Sequence, residues 1–510
     1  MRWPAKKIGS GIGLPRSRRR WFPFLLLAGL LFCGGCFMVG PDYRPPETAA
    51  PEAWHTPLAG GLETGKIDPE VLARWWQTLD DPLLEKLETK AMAGNHDLRI
   101  ARSRIRAARA RWGITRAGLF PTLDARGSFN ESRLSEENYG TGDKERLYRA
   151  GFDAAWELDV FGGTRRAMEA AEAEVAATRE NLNDVLVSLQ AEVALNYLLL
   201  RTDQARLKAA KANIKTQQET CDLNRSLYEA GLIDKLALEQ SLFNLEHTRS
   251  RVPVLQTGIE RACNRLAVLL GVAPGTLQPE LIPYGPIPDL PPELAVGIPA
   301  ETLRRRPDIR RAERQLAAAT ARIGQATADL YPKFHLIGTI GLESLTYDKL
   351  WRWASRSWGY GPGVTWNIFD AGAIRRNIEV QTELQRQALA TYERTVLEAR
   401  EEVENAIVAY AREQQRRHFL TAAVDSAAEA VRLARDQFQA GLVDFNNVLI
   451  TQLSLLALQD ELAQSNGLAA ANLVRLYKAL GGGWEWRKPV APARAVPVPA
   501  PVAGKKGNNS

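Results

Sequence analysis

The chain of 510 residues has little of what marks an enzyme or a helical membrane protein. Its five histidines (His55, His96, His247, His335, His418) are scattered without the spacing of metal ligands. It has no Gly-x-x-x-x-Gly-Lys-Ser/Thr loop for a nucleotide, and no serine or cysteine in a nucleophile signature. Nothing in it points to a metal, a cofactor or catalysis. No apolar run reaches the roughly 20 residues of a spanning helix; Trp21 to Phe32 is about half that length. Net charge is missing too, although the formal charge of +7 and pI near 9.2 suggest otherwise. Seven of the 66 basic residues (Arg2, Lys6, Lys7, Arg16, Arg18, Arg19, Arg20) precede that apolar run, and the remaining 59 match the 59 acidic residues. The basic character belongs to the leader, which argues against nucleic acid as a partner.

A basic segment, a short apolar segment and small residues make residues 1–35 a secretory signal peptide. It ends at Cys33-Gly34-Gly35-Cys36, which resembles a bacterial lipobox with Cys36 as the lipidated residue. Cys33 stands where that motif usually has Leu, while cleavage before Cys33 would put bulky Phe32 at the site. Acyl chains on Cys36 would tie the N-terminus to a bilayer surface. The other reading is ordinary cleavage with Cys36 an incidental thiol. Only Cys221 and Cys263 remain in the body. On an antiparallel helix pair turning near Gly231 they would lie roughly 25–30 Å apart, beyond disulfide reach.

What the chain does contain is said twice. Gly231-Leu232-Ile233-Asp234 recurs 210 residues later as Gly441-Leu442-Val443-Asp444, and Trp156, Gly162, Arg165 and Arg166 recur as Trp366, Gly372, Arg375 and Arg376. Asp97 and Asp308, and Pro121 and Pro332, are 211 apart. The period is too long for a solenoid and indicates one large unit in two copies, residues 81–270 and 308–483.

Each copy opens with a helical segment (Leu83 to about Gly118; Ile309 to about Leu330) and a Pro stop, then changes to period two. Leu123, Ala125, Gly127 and Phe129 alternate with Asp124, Arg126, Ser128 and Asn130. Tyr148, Ala150, Phe152, Ala154, Trp156 and Leu158 alternate with Arg149, Asp153 and Glu157. The second hairpin, 333–369 against 122–160 in the first, has Phe334 to Leu342 and Trp358 to Ile368. One-sided strands of about ten residues suit a transmembrane β-barrel, with Phe129, Tyr148, Trp156, Trp358 and Trp366 as interfacial aromatics. A soluble sandwich alternates in the same way, but two isolated hairpins offer too few partners for one. Four strands cannot close a barrel, whereas three chains would give twelve strands.

After each hairpin comes a long helix, Arg165 to about Glu229 and Arg375 to about Gln439, reaching about 100 Å at 1.5 Å per residue. Val175, Leu182 and Leu189, and separately Leu186, Val193 and Leu200, repeat every seven residues, a coiled-coil-like pattern with neighbours on two sides. Each long helix ends at Ala-Gly-Leu and a second helix returns. Residues 271–307, rich in proline, read as an extended connector; 36–80 as an extended N-terminal segment; 484–510 as a flexible tail. The Arg304–Arg306 run reads as a solvated helix start.

These residues resemble the TolC/OprM-type outer-membrane efflux proteins, in particular the NodT-like lipoprotein subgroup. The resemblance rests on Cys36 to Tyr43, Trp75-Trp76 with Asp81-Pro82-Leu83, Asn95 to Leu98, Arg305-Arg306-Pro307-Asp308-Ile309 with Ala312-Glu313 and Ile323-Gly324, and Leu476 to Trp484. It implies a mostly α chain with a membrane β part: a homotrimer whose twelve-stranded barrel sits in the outer membrane, with a long α-helical barrel in the periplasm. It also implies a periplasmic adaptor and an inner-membrane pump as partners, the chain itself being a passive exit duct for small molecules such as drugs. A type I protein-secretion duct and a pore-less, lipid-anchored periplasmic scaffold are the alternatives. The tip where an adaptor docks and the duct constricts corresponds to Tyr228, Gly231, Leu232 and Asp234 in one turn and to Phe438, Gly441, Leu442 and Asp444 in the other, with Asn446 and Asn447 beside it. Any helical hairpin would also choose Gly then Asp there. Relatives often carry Asp before Ala-Gln on the second returning helix; Leu449-Ile450-Thr451-Gln452 departs from that.

Overall fold

The computed structural model describes residues 38–46, 53–65, 68–133, 135, 137, 144–297 and 299–485. The leader, Cys36 and the tail from 486 onward lie outside the described residues. An extended strap, 38–46, comes first, then β1 (Leu62–Thr64), α1 (Pro69–Ala73) and a 3-10 turn at Trp75–Leu79. Asp81 opens α2 (Pro82–Gly94) by accepting the backbone N–H groups of Leu83 and Leu84 at 2.9 and 3.1 Å. The helix expected from Leu83 to Gly118 is two helices, because Asn95 is extended and caps both. Its side-chain amide donates to the Leu269 carbonyl at 2.9 Å, and its Oδ1 accepts from Leu98 N–H to start α3 (His96–Ala117).

Next come β2 (Thr122–Arg133), β3 (Lys144–Leu158), α4 (Gly163–Glu229) and α5 (Lys235–Leu269). The stretch expected to be an extended connector carries α6 (Gln278–Leu281), β4 (Leu294–Val296) and α7 (Pro299–Arg305), and β4 pairs in parallel with β1. Its prolines sit between anchors rather than in open chain: Leu277, Leu281, Leu294, Val296 and Leu303 are all buried. The chain continues through α8 (Pro307–Ala328), β5 (Lys333–Ser344), α9 (Tyr347–Leu350), β6 (Arg356–Thr365), α10 (Ala373–Gln439) and α11 (Phe445–Ala479). Helices α4 and α10 have 67 residues each, and α5 and α11 have 35 each. Trp366 and Ile368, expected in the last strand, lie past its end.

The described chain forms two compact units. The first, residues 38–46, 104–178 and 311–393, holds a four-stranded antiparallel sheet in the order β2-β3-β5-β6. Its register puts Leu123 opposite Ala154, Phe152 opposite Ile340 and Ile340 opposite Trp358, so the apolar positions of all four strands share one face. The other face carries Arg126 paired with Asp153 at 3.0 Å and Arg149 paired with Glu343 at 3.3 Å. Aromatics gather toward both strand ends. Phe129 packs on Tyr148 (4.7 Å) and Tyr148 on Tyr347 (5.8 Å) at one end, and Phe161 stacks on Tyr331 (4.6 Å) at the other. Trp156 and Trp366 each donate an indole N–H at 3.0 Å to a carbonyl just before a strand, Leu119 and Leu330. Tyr148 to Trp156 covers about 27 Å along the strand, which at the roughly 40° strand tilt of a membrane barrel would rise about 20 Å, near the ~25 Å apolar band of such barrels. Among the described residues neither β2 nor β6 has a partner on its outer edge.

The second unit, residues 53–103, 179–310 and 394–485, contains the main apolar core. Trp75 stacks on Tyr477 at 5.5 Å, and Leu84, Leu87, Leu266, Leu473 and Val474 are fully enclosed. Arg306 is not a solvated helix start. It is buried, donating to both Asp308 oxygens (3.1 and 2.7 Å), to Glu402 (2.7 Å) and to the Ala479 carbonyl (2.7 Å), and so ties three helices. Cys221 and Cys263 are buried free thiols, and burial pushes the Cys263 thiol up to about 11. Among the described residues no helix is long and apolar enough to cross a membrane.

Glu88 is the exception inside this core: it is fully buried, and neither carboxylate oxygen has a partner among the described residues. Burial raises its pKa well above the ordinary carboxyl value, so it is protonated in the folded state where an unfolded chain would ionise. The stability it contributes is therefore full below an ordinary glutamate pKa and is lost as pH rises toward the folded value. Glu88→Gln, neutral at every pH, removes that slope. In melting curves from pH 5 to 9 the variant should gain on the parent as pH rises; a constant difference would contradict this.

Candidate functional site at the helical hairpin turns

The two helical hairpins turn by the same backbone device. Leu232 N–H bonds to the Leu227 carbonyl at 2.8 Å and Gly231 N–H to Tyr228 at 2.9 Å; Leu442 bonds to Gln437 and Gly441 to Phe438, both at 2.9 Å. This crossed pair is a Schellman ending. It needs a left-handed residue, and Gly231 and Gly441 have φ of 69° and 73°. A Cβ at either glycine would meet nothing within 4 Å, so conformation and not space selects glycine there. Leu232 and Leu442 point into solvent, 71% and 75% exposed. Asp234 caps α5 by accepting from Ala237 N–H at 3.0 Å, whereas the Asp444 side chain makes no such bond.

Past the turns the copies part. Phe445 is buried against Phe438 (5.5 Å, edge-on), with Ala434, Val448, Leu449 and Ala237 around it. Lys235 stands at the matching position of the first hairpin, exposed, 3.7 Å from Glu239. Tyr228 is outside the Phe445 cluster, and Asn446, Asn447, Asp234 and Asp444 are exposed. The second turn is thus pinned by aromatics, and among the described residues the first has no such aromatic pair at the matching position, where Lys235 is exposed.

A polar seam follows the turns. The heptad series Val175, Leu182, Leu189 keeps its register but changes chemistry, to Asn196, Asp203, Ala210, Gln217 and Asn224, and the last four are buried. The parallel series Leu186, Val193, Leu200 stays largely apolar through Leu207, Ile214, Cys221 and Tyr228. Facing the polar series, α5 buries Ser241, Asn244 and Thr248. Arg206 forks onto Asp460 of α11 at 2.7 and 3.1 Å, and Asn213 donates to Gln459 at 3.1 Å. Burial raises the Asp203 pKa, and nearby Arg206 partly offsets this. A cavity of about 700 Å³ opens among Asp203, Arg206, Arg251, Gly258, Arg261 and Asp460. Both amide atoms of Asn224, Oε1 of Gln217 and Nε2 of Gln452 find no partner among the described residues. Each such group costs about 1–3 kcal/mol, so this seam is held less firmly than the apolar core.

No cluster of three metal-ligating side chains occurs among the described residues. The family model for outer membrane efflux protein matches residues 87–272 and 298–482. The chain belongs to the outer membrane efflux protein family. The toluene efflux pump outer membrane protein TtgI of Pseudomonas putida is 33% identical over 91% of this chain and 98% of its own. Nodulation protein T of Rhizobium leguminosarum bv. trifolii is 31% identical over 91% and 97%. Among solved structures, the outer-membrane channel OprN superposes with a TM-score of 0.82 at 36% identity, over 88% of this chain and 100% of that one. The open state of the Neisseria gonorrhoeae MtrE outer membrane channel gives 0.77 at 28%, over 88% and 98%. The molecule is an outer-membrane efflux channel.

In this channel the turn residues named from sequence fall into two separate turns, and only Phe438 joins the aromatic cluster. The contrast of Lys235-Leu236 with Phe445-Asn446 just past the turns is visible in the sequence, whereas the seam residues Asp203, Gln217 and Asn224 are not marked by any motif, although continuing the heptad past Leu189 reaches all three positions. Asn224→Leu replaces an unpartnered buried amide by an apolar group of similar size. It should stabilise the hairpin by about 1–2 kcal/mol and slow backbone hydrogen exchange over residues 217–245. Unchanged or faster exchange would contradict the weak-seam reading.

Proposed function

We propose that three copies close into a twelve-stranded outer-membrane barrel and that the long helices continue it as a periplasmic duct. The observation that carries this is the sheet, apolar on one face, polar on the other and, among the described residues, unpaired at both edges. Lipid does not tolerate an open sheet edge, and four strands are too few for a barrel. Equal helix lengths at a 210-residue offset support a duplicated unit, so that six hairpins end level around one axis. The duct is passive: a periplasmic adaptor meets it at the turns around Gly231 and Gly441, and an inner-membrane pump supplies the energy. Cys36 carries the acyl anchor. Solvent and toluene efflux are named for relatives at 33% identity, which favours small apolar solutes and drugs as cargo. Opening proceeds along the seam at Gln217 and Asn224 and leaves the Phe438–Phe445 cluster as the fixed side.

Purified channel in planar bilayers should conduct as a trimer, and mature protein should carry acyl mass on Cys36. A monomer without conductance contradicts the pore, and a bare thiol contradicts the anchor. Gly231→Val with Gly441→Val places a β-branched residue at positive φ, at a cost of about 1–2 kcal/mol per site. It should impair export from cells while trimers still assemble; undiminished export would refute the role given to the turns.

A further inference from the structure

The strap ends at a corner that the chain builds twice but covers once. At the first corner, where β3 passes into α4, Arg166 is only 2% exposed. It donates to the Val39 carbonyl (3.1 Å), the Gly40 carbonyl (3.3 Å), the Asp42 carboxylate (2.7 Å) and Glu169 (2.8 Å). Gly162, at φ 80°, leaves room for Met38, and a Cβ there would come within 2.6 Å of it. Arg165 is tied to Asp159, through its carboxylate at 3.0 Å and its carbonyl at 2.9 Å. The corner thus holds an extended segment by its carbonyls and one carboxylate.

At the second corner, where β6 passes into α10, the parts recur 210 residues on. Gly372 has φ 90°, and Arg376 bonds to Glu379 at 2.7 Å as Arg166 does to Glu169. No described segment lies over them: Arg376 is 79% exposed, and a Cβ on Gly372 would meet nothing within 4 Å. Arg375 has no partner among the described residues, so this corner offers one guanidinium more than the first. The start of α10 is not part of the offer, since Asp370 already accepts from Gly372 N–H and Ile374 N–H at 2.8 and 2.7 Å. Beside the two arginines Ile368 and Phe369 are 83% and 87% exposed, and Trp366 is half exposed.

The geometry points to an anionic phospholipid headgroup at this second corner, its phosphate on Arg375 and Arg376 and its acyl chains along Ile368 and Phe369. Three features favour a lipid over a peptide. The corner continues directly from the membrane strand β6, its apolar neighbours are more exposed than those of the strap-covered corner, and aromatic and arginine side chains together mark a membrane interface. The inference rests on the outer-membrane barrel reading but names a ligand which that reading does not require. In effect, the strap and the lipid would be alternative covers for equivalent corners.

The test uses the full-length channel in nanodiscs of phosphatidylcholine doped with phosphatidylglycerol, with retained phosphatidylglycerol counted by native mass spectrometry. One molecule per chain should be retained. Arg375→Gln with Arg376→Gln should weaken retention about thirtyfold, from the loss of two juxtamembrane charges, while trimer mass and conductance hold. Ile368→Ser with Phe369→Ser should weaken it with the charges in place. Unchanged retention in both variants overturns the site. Displacement by millimolar inorganic phosphate shows a free-anion site instead. Displacement by a peptide of strap sequence 38–43 shows a peptide site. Loss of trimers with lipid content unchanged shows that the corner seats a second copy. Each of these three outcomes overturns the lipid assignment, and conductance, read separately, reports on the pore itself.

Discussion

The backbone groups along β2 and β6 set the terms for the rest of the molecule. Each unpaired N–H or C=O facing hydrocarbon costs several kcal/mol, and these two edges expose a row of them. No side chain of a single copy remedies this. Pairing with further copies, as proposed, would, and it would turn the apolar face toward lipid and the Arg126–Asp153 and Arg149–Glu343 pairs toward an aqueous lumen. The duplicated chain suits such a ring, because β3 against β5 within the chain is already a copy of the contact that β6 would make with the next β2.

The helical part answers a different demand. A duct must hold together and also part. The apolar series through Leu186, Val193, Leu200 and Leu207 serves the first need, and the buried polar series from Asp203 to Asn224 weakens one side of the same helix. The asymmetry past the turns fits this division, since Phe445 is locked against Phe438 whereas Lys235 is exposed. A uniformly apolar pair of hairpins would be more stable and harder to open.

Much of this was legible in the residues because it depends on period and punctuation. Alternation gave the four strands to within a few residues, and the Ala-Gly-Leu turns gave both hairpin ends. Other features were hidden because they depend on contacts distant in sequence. Asn95 breaks one expected helix by bonding to Leu269, Arg306 is buried because Glu402 and the Ala479 carbonyl reach it, and β4 exists because β1 lies beside it. The seam was legible in principle. The heptad loses its apolar character after Leu189 but runs on in register through Asp203, Gln217 and Asn224. That the turn residues serve as docking and gate positions is a proposal, resting on the family resemblance and the turn geometry together.

The closure of the sheet by identical copies can be measured directly. Within the chain Gly151 lies opposite Gly341; the repeat offsets of 210 and 211 carry that pair to Gly361 on β6 and Asn130 on the β2 of the next copy. Both face the polar side, and directly opposed residues stand about 4.5–5.5 Å apart, within disulfide reach. Asn130→Cys with Gly361→Cys, in a chain whose Cys221 and Cys263 are replaced by Ala, should on oxidation in membranes give a covalent ladder that stops at three chains. Dimers alone, an open-ended ladder, or no cross-link in assembled protein would contradict a barrel closed by three copies.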